Sequence, residues 1–266
     1  MKHILTFATA TLLLAACSGQ QQEGVASANN QETVSREKNI APAAKNVADV
    51  ITWSGTINGK IPVFIAYTRK DDVLSGQIVY LNTKSRQPIR IIGTIDETGD
   101  YRIQEFEASG NITGIITGKP EGKVFNGTWF SPKTRKDFPM ALSEKDTSVT
   151  LGDFGGDAKT AAGSYRYEYS EEGPQGGLEL KKLGGDKWAF SVSAVTGAPA
   201  RNIADIGTDT IAFTGNTFKY KVPDSDSCEF SVRIFKDFVI VKELHDFEAC
   251  MGMFGHNATI EGVFLK

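Results

Sequence analysis

The sequence is poor in the residues from which most active and metal sites are built. It holds three cysteines and three histidines in 266 residues, with no Cys/His array at zinc-ligand spacing. No Gly-x-Ser-x-Gly elbow is present. Gly155-Gly156-Asp157 is not followed by the Lys-Ser/Thr pair that opens a helix after a phosphate loop. Basic residues do not outnumber acidic ones, 29 against 32, which argues against a nucleic-acid binder on bulk charge. Long segments of helical periodicity are missing as well. These absences point away from an enzyme, a metal or a cofactor and toward a protein that acts by non-covalent binding.

What is present begins with an address. Lys2 precedes an apolar run, Ile4 to Leu14, that is too short to span a bilayer, since a spanning helix takes about 20 residues. It reads as the core of a signal peptide. Leu14-Ala15-Ala16 sits directly before Cys17, and Ser18-Gly19 follows as a turn. This order resembles the lipobox of bacterial membrane lipoproteins. The resemblance implies cleavage after residue 16, a thioether from Cys17 to diacylglycerol and acylation of the new amino terminus. Several acyl chains, at about 0.8 kcal/mol per buried CH₂, make such an anchor lasting. Ser18, where an aspartate would retain the product, resembles the signal that sorts many Gram-negative lipoproteins to the outer membrane. The alternative is a plain secreted protein with Cys17 free. Removal of residues 1–16 takes away Lys2 and no acid, so 28 basic residues stand against 32 acidic ones, a net charge of −4.

The stretch 17–49 is rich in Gln and Asn after Cys17, holds no aromatic residue and is too sparse in apolar residues for a core, so a disordered tail is expected. As a flexible coil it would span about 30 Å. With Cys17 lipidated, Cys228 and Cys250 are left in a compartment where disulfides persist, and a bridge between them is expected. Two buried free thiols are the alternative.

From Val50 the texture changes to short apolar runs separated by turn residues: 50–57, 61–69, 73–82, 87–95, 101–108, 112–118, 123–131 and 137–143. Connections of hairpin length join them, so an antiparallel eight-stranded meander over 50–145 is expected, closing into an up-and-down barrel or a curled sheet. One pattern recurs, with glycine between two apolar residues at alternate positions: Trp53-Gly55-Ile57, Leu74-Gly76-Ile78, Ile91-Gly93-Ile95, Ile112-Gly114-Ile116 and Phe125-Gly127-Trp129. Alternation along a strand places each glycine on the apolar face. Gly55, Gly76, Gly93, Gly114 and Gly127 then either permit sharp coiling or line a ligand cavity. In architecture this resembles small calycin-type barrels such as lipocalins and avidins, a likeness that carries no function. In such a meander alternate connections share one end. The first, third, fifth and seventh carry Lys60, Lys84, Arg86, Lys133, Arg135 and Lys136 with almost no acid, which predicts a basic rim that either keeps the surface soluble or docks an anion.

Residues 146–162 read as a linker, and 163–266 as a second meander of about eight strands stapled by the cysteine pair. Its ending, Cys250-Met251-Gly252-Met253-Phe254-Gly255 and then Gly262-Val263-Phe264-Leu265-Lys266, resembles two groups. One is the disulfide-closed end of small periplasmic lysozyme inhibitors, though no inhibitory-loop motif accompanies it. The other is the last strands of surface lipoproteins that bind host factor H or transferrin, from which the cysteine pair departs. His245 and His256, with Glu243, Asp246 and Glu248 nearby, read as turn residues because no helical i, i+4 pair joins them.

The sequence therefore implies an all-β, lipid-anchored protein of the outer membrane that acts by non-covalent binding and does not name its ligand, with an anionic envelope component and a protein partner as the candidates. The rival readings are a lysozyme-inhibitor-like or host-protein-binding lipoprotein, a carrier of an apolar ligand in a glycine-lined barrel, and a hydrolase with strand-borne carboxylates.

Overall fold

The structure, a computed structural model, describes residues 49–245 and 247–266. Expectations for the signal segment, Cys17 and the tail lie outside these residues. The described part belongs to one compact unit, Asn46–Lys266.

The protein is all-β, with a single 3-10 turn at Phe247–Cys250 among the described residues. Strands β1 (Ile51–Ile57), β2 (Ile61–Lys70), β3 (Val73–Tyr80), β4 (Pro88–Ile95), β5 (Tyr101–Phe106), β6 (Ile112–Glu121), β7 (Val124–Ser131) and β8 (Lys136–Glu144) form a closed barrel in chain order. Closure comes from β1 pairing with β8, Gly55 opposite Leu142 and Ile57 opposite Met140. Full closure leaves no strand edge. The interior is filled by Trp53, Ile57, Val63, Ile65, Tyr67, Leu74, Ile78, Ile91, Ile103, Ile116 and Phe125 with their neighbours.

The second sheet comprises β9 (Gly163–Glu168), β10 (Gln175–Gly184), β11 (Lys187–Val195), β12 (Ile203–Ala212), β13 (Thr217–Lys221), β14 (Glu229–Ile234), β15 (Phe238–Glu243) and β16 (Gly262–Leu265). Its order, β12-β11-β10-β9-β16-β15-β14-β13, is a meander in which the last strand pairs with the first. The seam lies between β12 and β13, where side chains take the place of a ladder. Phe213 stacks on Trp188 at 4.9 Å and on Phe218 at 5.0 Å, and Tyr220 on β13 donates to Asp209 on β12 at 3.0 Å. The sheet is thus a nearly closed barrel. The sequence reading recognised only the end of β12, near Ile211 and Phe213. The rest of that strand, from Ile203, is largely exposed and lacks the apolar signal.

The two barrels share an apolar wall. Val73, Ile92, Phe106, Ile112 and Ile115 point outward from the first barrel and join the core of the second. A bulge makes this possible: Glu105 opposes Gly114 while Phe106 opposes Ile112, so Thr113 is the extra residue. Ile112 thereby leaves the inner face, contrary to the simple alternation that grouped it with Gly114. Two arginine–carboxylate pairs frame the contact. Arg233 Nη1 and Nη2 bond Asp72 at 2.5 and 2.8 Å, and Arg90 grips both Asp237 oxygens. In the segment between the barrels Phe154, 2 % exposed, packs on Phe235 and Phe238 at 5.8 and 6.0 Å, and Ala161 is buried as well.

Candidate functional site

Antiparallel order around the closed barrel places the β1–β2, β3–β4, β5–β6 and β7–β8 connections at one end. The inward side chains nearest that end are Ile61, Tyr80, Ile89, Glu105, Trp129 and Phe138, with Gly114 among them. Glu105, 1 % exposed, is the one carboxylate among the buried residues of the described part. It accepts from Trp129 Nε1 at 2.7 Å, from Tyr80 Oη at 3.0 Å to each oxygen, and from Thr113 Oγ1 at 3.3 Å. Burial holds its carboxyl above the usual range, although the three hydrogen bonds favour the ionised form. Burial, and then the carboxylate beside it, likewise push the Tyr80 hydroxyl up. The sequence reading missed this group. A signal was available, since Tyr101, Ile103 and Glu105 alternate on one face.

Gly114 makes room for that network. A Cβ there would lie 2.7 Å from Glu105 Cδ and 2.8 Å from its Oε1, and against Trp129 Nε1. The other four recurrent glycines meet backbone or ring atoms of neighbouring strands instead. A Cβ would come 2.7 Å from Leu142 Cα at Gly55, against Tyr67 Cα at Gly76, 2.8 Å from Arg102 O at Gly93 and 2.7 Å from Phe125 Cε1 at Gly127. At each of Gly55, Gly76, Gly93, Gly114 and Gly127 neighbouring chain thus approaches closely, as sharp coiling requires, and Gly76 and Gly127 also border clefts of about 250 and 570 Å³.

Around this end stand Lys60, Lys84, Arg86, Lys133, Arg135 and Lys136, all exposed. None of the six takes part in an ion pair among the described residues. Glu107 also falls in the fifth connection, because β5 ends at Phe106 and not at residue 108. That connection is docked on the second barrel, with Gly110 O accepting from Glu168 N at 3.1 Å. The first, third and seventh connections carry all six cations. At the opposite end Asp72 is committed to Arg233, and the Asp96 carboxylate caps its own turn through Thr98 and Asp100 amides at 2.9 Å.

In the second barrel Cys228 and Cys250 form the disulfide, 22 residues apart. Cys250 ends the 3-10 turn, and β16 starts only at Gly262, so the bridge ties the start of β14 to a long loop and not directly to the last strand. His245 Nε2 lies 3.6 Å from Glu229 Oε2, and His256 is exposed. Glu243 adjoins Glu261, whose Oε1 accepts the Glu243 amide at 2.7 Å. Burial, and then the Glu261 charge, raise the Glu243 carboxyl above its ordinary value. Glu243, at the end of β15, borders a small cleft of about 140 Å³ beside the disulfide, while Glu261 lies just before β16 and outside that lining. No protein-family model and no curated protein matches the chain.

Proposed function

We propose that the protein is a lipid-anchored lipoprotein of the outer membrane whose first barrel docks on an anionic envelope surface through its basic rim. The observation that supports this reading is the gathering of six exposed, unpaired cations at one end of a closed barrel in a chain of net negative charge. Attraction of that kind extends over a Debye length of about 8 Å at physiological salt. The rim would therefore act within that distance of the surface, where an anchor at Cys17 would keep it. The filled interior makes the apolar carrier a poorer reading than docking.

The test is retention of Asn46–Lys266 on lipopolysaccharide or anionic vesicles as salt is raised. Replacement of Lys84, Arg86, Lys133, Arg135 and Lys136 by glutamate should abolish salt-sensitive retention and leave the melting temperature within a few degrees. Absence of salt-sensitive binding before any mutation would sink the reading. In the full chain, Cys17→Ala should remove acylation and free the protein from the detergent phase.

A further inference from the structure

Between the barrels lies a cleft of about 640 Å³, within the roughly 300–1,000 Å³ typical of small-molecule sites. Its apolar lining comes from both sides of the joint: Ile115, Phe130 and Pro132 from the first barrel, Pro174 and Ala198 from the second. Its charged lining is divided by domain. Arg102, Lys133 and Arg135, with one acid, Asp137, come from the first barrel; Glu171 and Glu172 come from the β9–β10 turn of the second. All six charged side chains are exposed, and no ion pair within 4.0 Å joins any of them to another residue among those described. Opposite charges that border one space without closing on each other are free to meet the two ends of a dipolar group.

The joint keeps this space open. Glu171 and Glu172 are fixed through their backbone: Gln175 Nε2 donates to Glu171 O at 2.8 Å, and Ala198 N donates to Glu172 O at 2.8 Å. Tyr169, at the base of the turn, accepts from Gln104 Nε2 at 2.9 Å and from Arg102 Nη2 at 3.4 Å, so its own hydroxyl proton is left to donate. The acidic lip is thus held across from the basic one by hydrogen bonds that leave the carboxylates unused.

From these features we propose that the cleft binds a single-chain amphiphile whose headgroup carries both a phosphate and an ammonium. The phosphate lies on Arg102, Lys133 and Arg135, the ammonium on Glu171 and Glu172, and the chain on Ile115, Phe130, Pro132 and Ala198. Arginine suits the phosphate because its fork donates two parallel hydrogen bonds. The proposal deepens the docking reading, since Lys133 and Arg135 belong to both the rim and the cleft, and it would place the headgroup of one extracted lipid at the edge of the surface on which the rim rests.

The experiment is titration of Asn46–Lys266 with lysophosphatidylethanolamine below its micelle concentration, followed by calorimetry and native mass spectrometry. Dodecyl phosphate, dodecylammonium and dodecanol serve as probes that lack one or both charges. We expect a one-to-one complex with the zwitterion and at least tenfold weaker binding of the other three. Lys133→Glu with Arg135→Glu, or Glu171→Lys with Glu172→Lys, should each weaken binding at least tenfold. Combining all four should recover part of the loss, because the headgroup can turn end for end. Lys60→Glu, Lys84→Glu and Arg86→Glu together, outside the cleft, should weaken vesicle retention and change lysolipid binding less than twofold. Absence of vesicle binding by the unmutated protein, with lysolipid binding intact, would end the docking reading and leave the cleft. Equal binding of all four probes, or no effect of reversing the acidic lip, would overturn the cleft proposal.

Discussion

Gly114 offers the sharpest test of how the first barrel is built, because its absent side chain is replaced by a polar network and not by a void. In Gly114→Ala the new Cβ would sit 2.7 Å from Glu105 Cδ and 2.8 Å from Oε1, and also against Trp129 Nε1, where carbon contacts ordinarily lie near 3.5–4.0 Å. One partner must move, and moving either stretches the 2.7 Å bond from Trp129 to Glu105. Overpacking of a tight interior costs about 1–3 kcal/mol. Weakening a hydrogen bond to a buried charged group adds up to about 1.5–3 kcal/mol. A total of about 2.5–6 kcal/mol, at about 2–4 °C per kcal/mol for a body of this size, corresponds to a fall in melting temperature of roughly 5–24 °C. The control is Gly177→Ala on β10, where no atom lies within 4 Å of the new Cβ and a small stabilisation, about 0.4–1 kcal/mol, is expected from the unfolded chain. Thermal melts followed by calorimetry and by tryptophan fluorescence would compare the two. The penalty should shrink by about 0.5–3 kcal/mol in a Glu105→Ala background, which removes two of the three crowding atoms. If Gly114→Ala melts within a degree of Gly177→Ala, the close-packed account of these glycines fails.

Two further outcomes are expected. Because the folded Glu105 carboxyl is raised above its unfolded value near 4.5, its protonated form contributes stability that is fully present below that pH and lost as pH rises through the folded value. Glu105→Gln should therefore flatten this part of the stability–pH curve and gain on the wild type as pH rises above the unfolded value; parallel curves for the two proteins would refute it. The Cys228–Cys250 bridge closes a loop of 22 residues, so replacing both cysteines by alanine should destabilise the second barrel by about 3 kcal/mol on the chain-entropy account. Thiols that alkylate before reduction in the denatured protein would show that the bridge is not formed.

The first barrel was legible because its strands obey period-2 alternation and its turns are short, so a search for alternation recovers the strands to within a few residues. The second was less so at β12 and at the loop after Cys250. On β12 only Ala204 and Ile206 are buried, and an exposed edge strand gives little apolar signal to read. Closure between β9 and β16 depends on a pairing between the first and last strands, which no local pattern encodes. The bulge at Thr113 was invisible for a related reason. It is set by the need to turn Phe106 and Ile112 outward onto a second domain, and a single strand carries no mark of what will be packed against its outer face.

The candidate site divides along the same line. The rim could be read from the sequence because it needs only topology: once neighbouring strands alternate in direction, the odd connections share an end whatever their side chains do. Glu105 could have been read, but an acid in an otherwise apolar alternation is easily taken for a register slip when its donors, Tyr80 and Trp129, lie on strands 25 and 24 residues away. The cleft could not have been read at all. Its basic lip and its acidic lip belong to different barrels, and they face each other only because Arg233 of the second barrel bonds Asp72 of the first and Arg90 of the first bonds Asp237 of the second, while five outward apolar side chains of the first barrel are buried in the joint. A contact of that kind is fixed by surfaces that each barrel would otherwise expose to water. For a chain whose residue types name no chemistry, the place where two domains meet is accordingly the place where a structure adds most to a sequence.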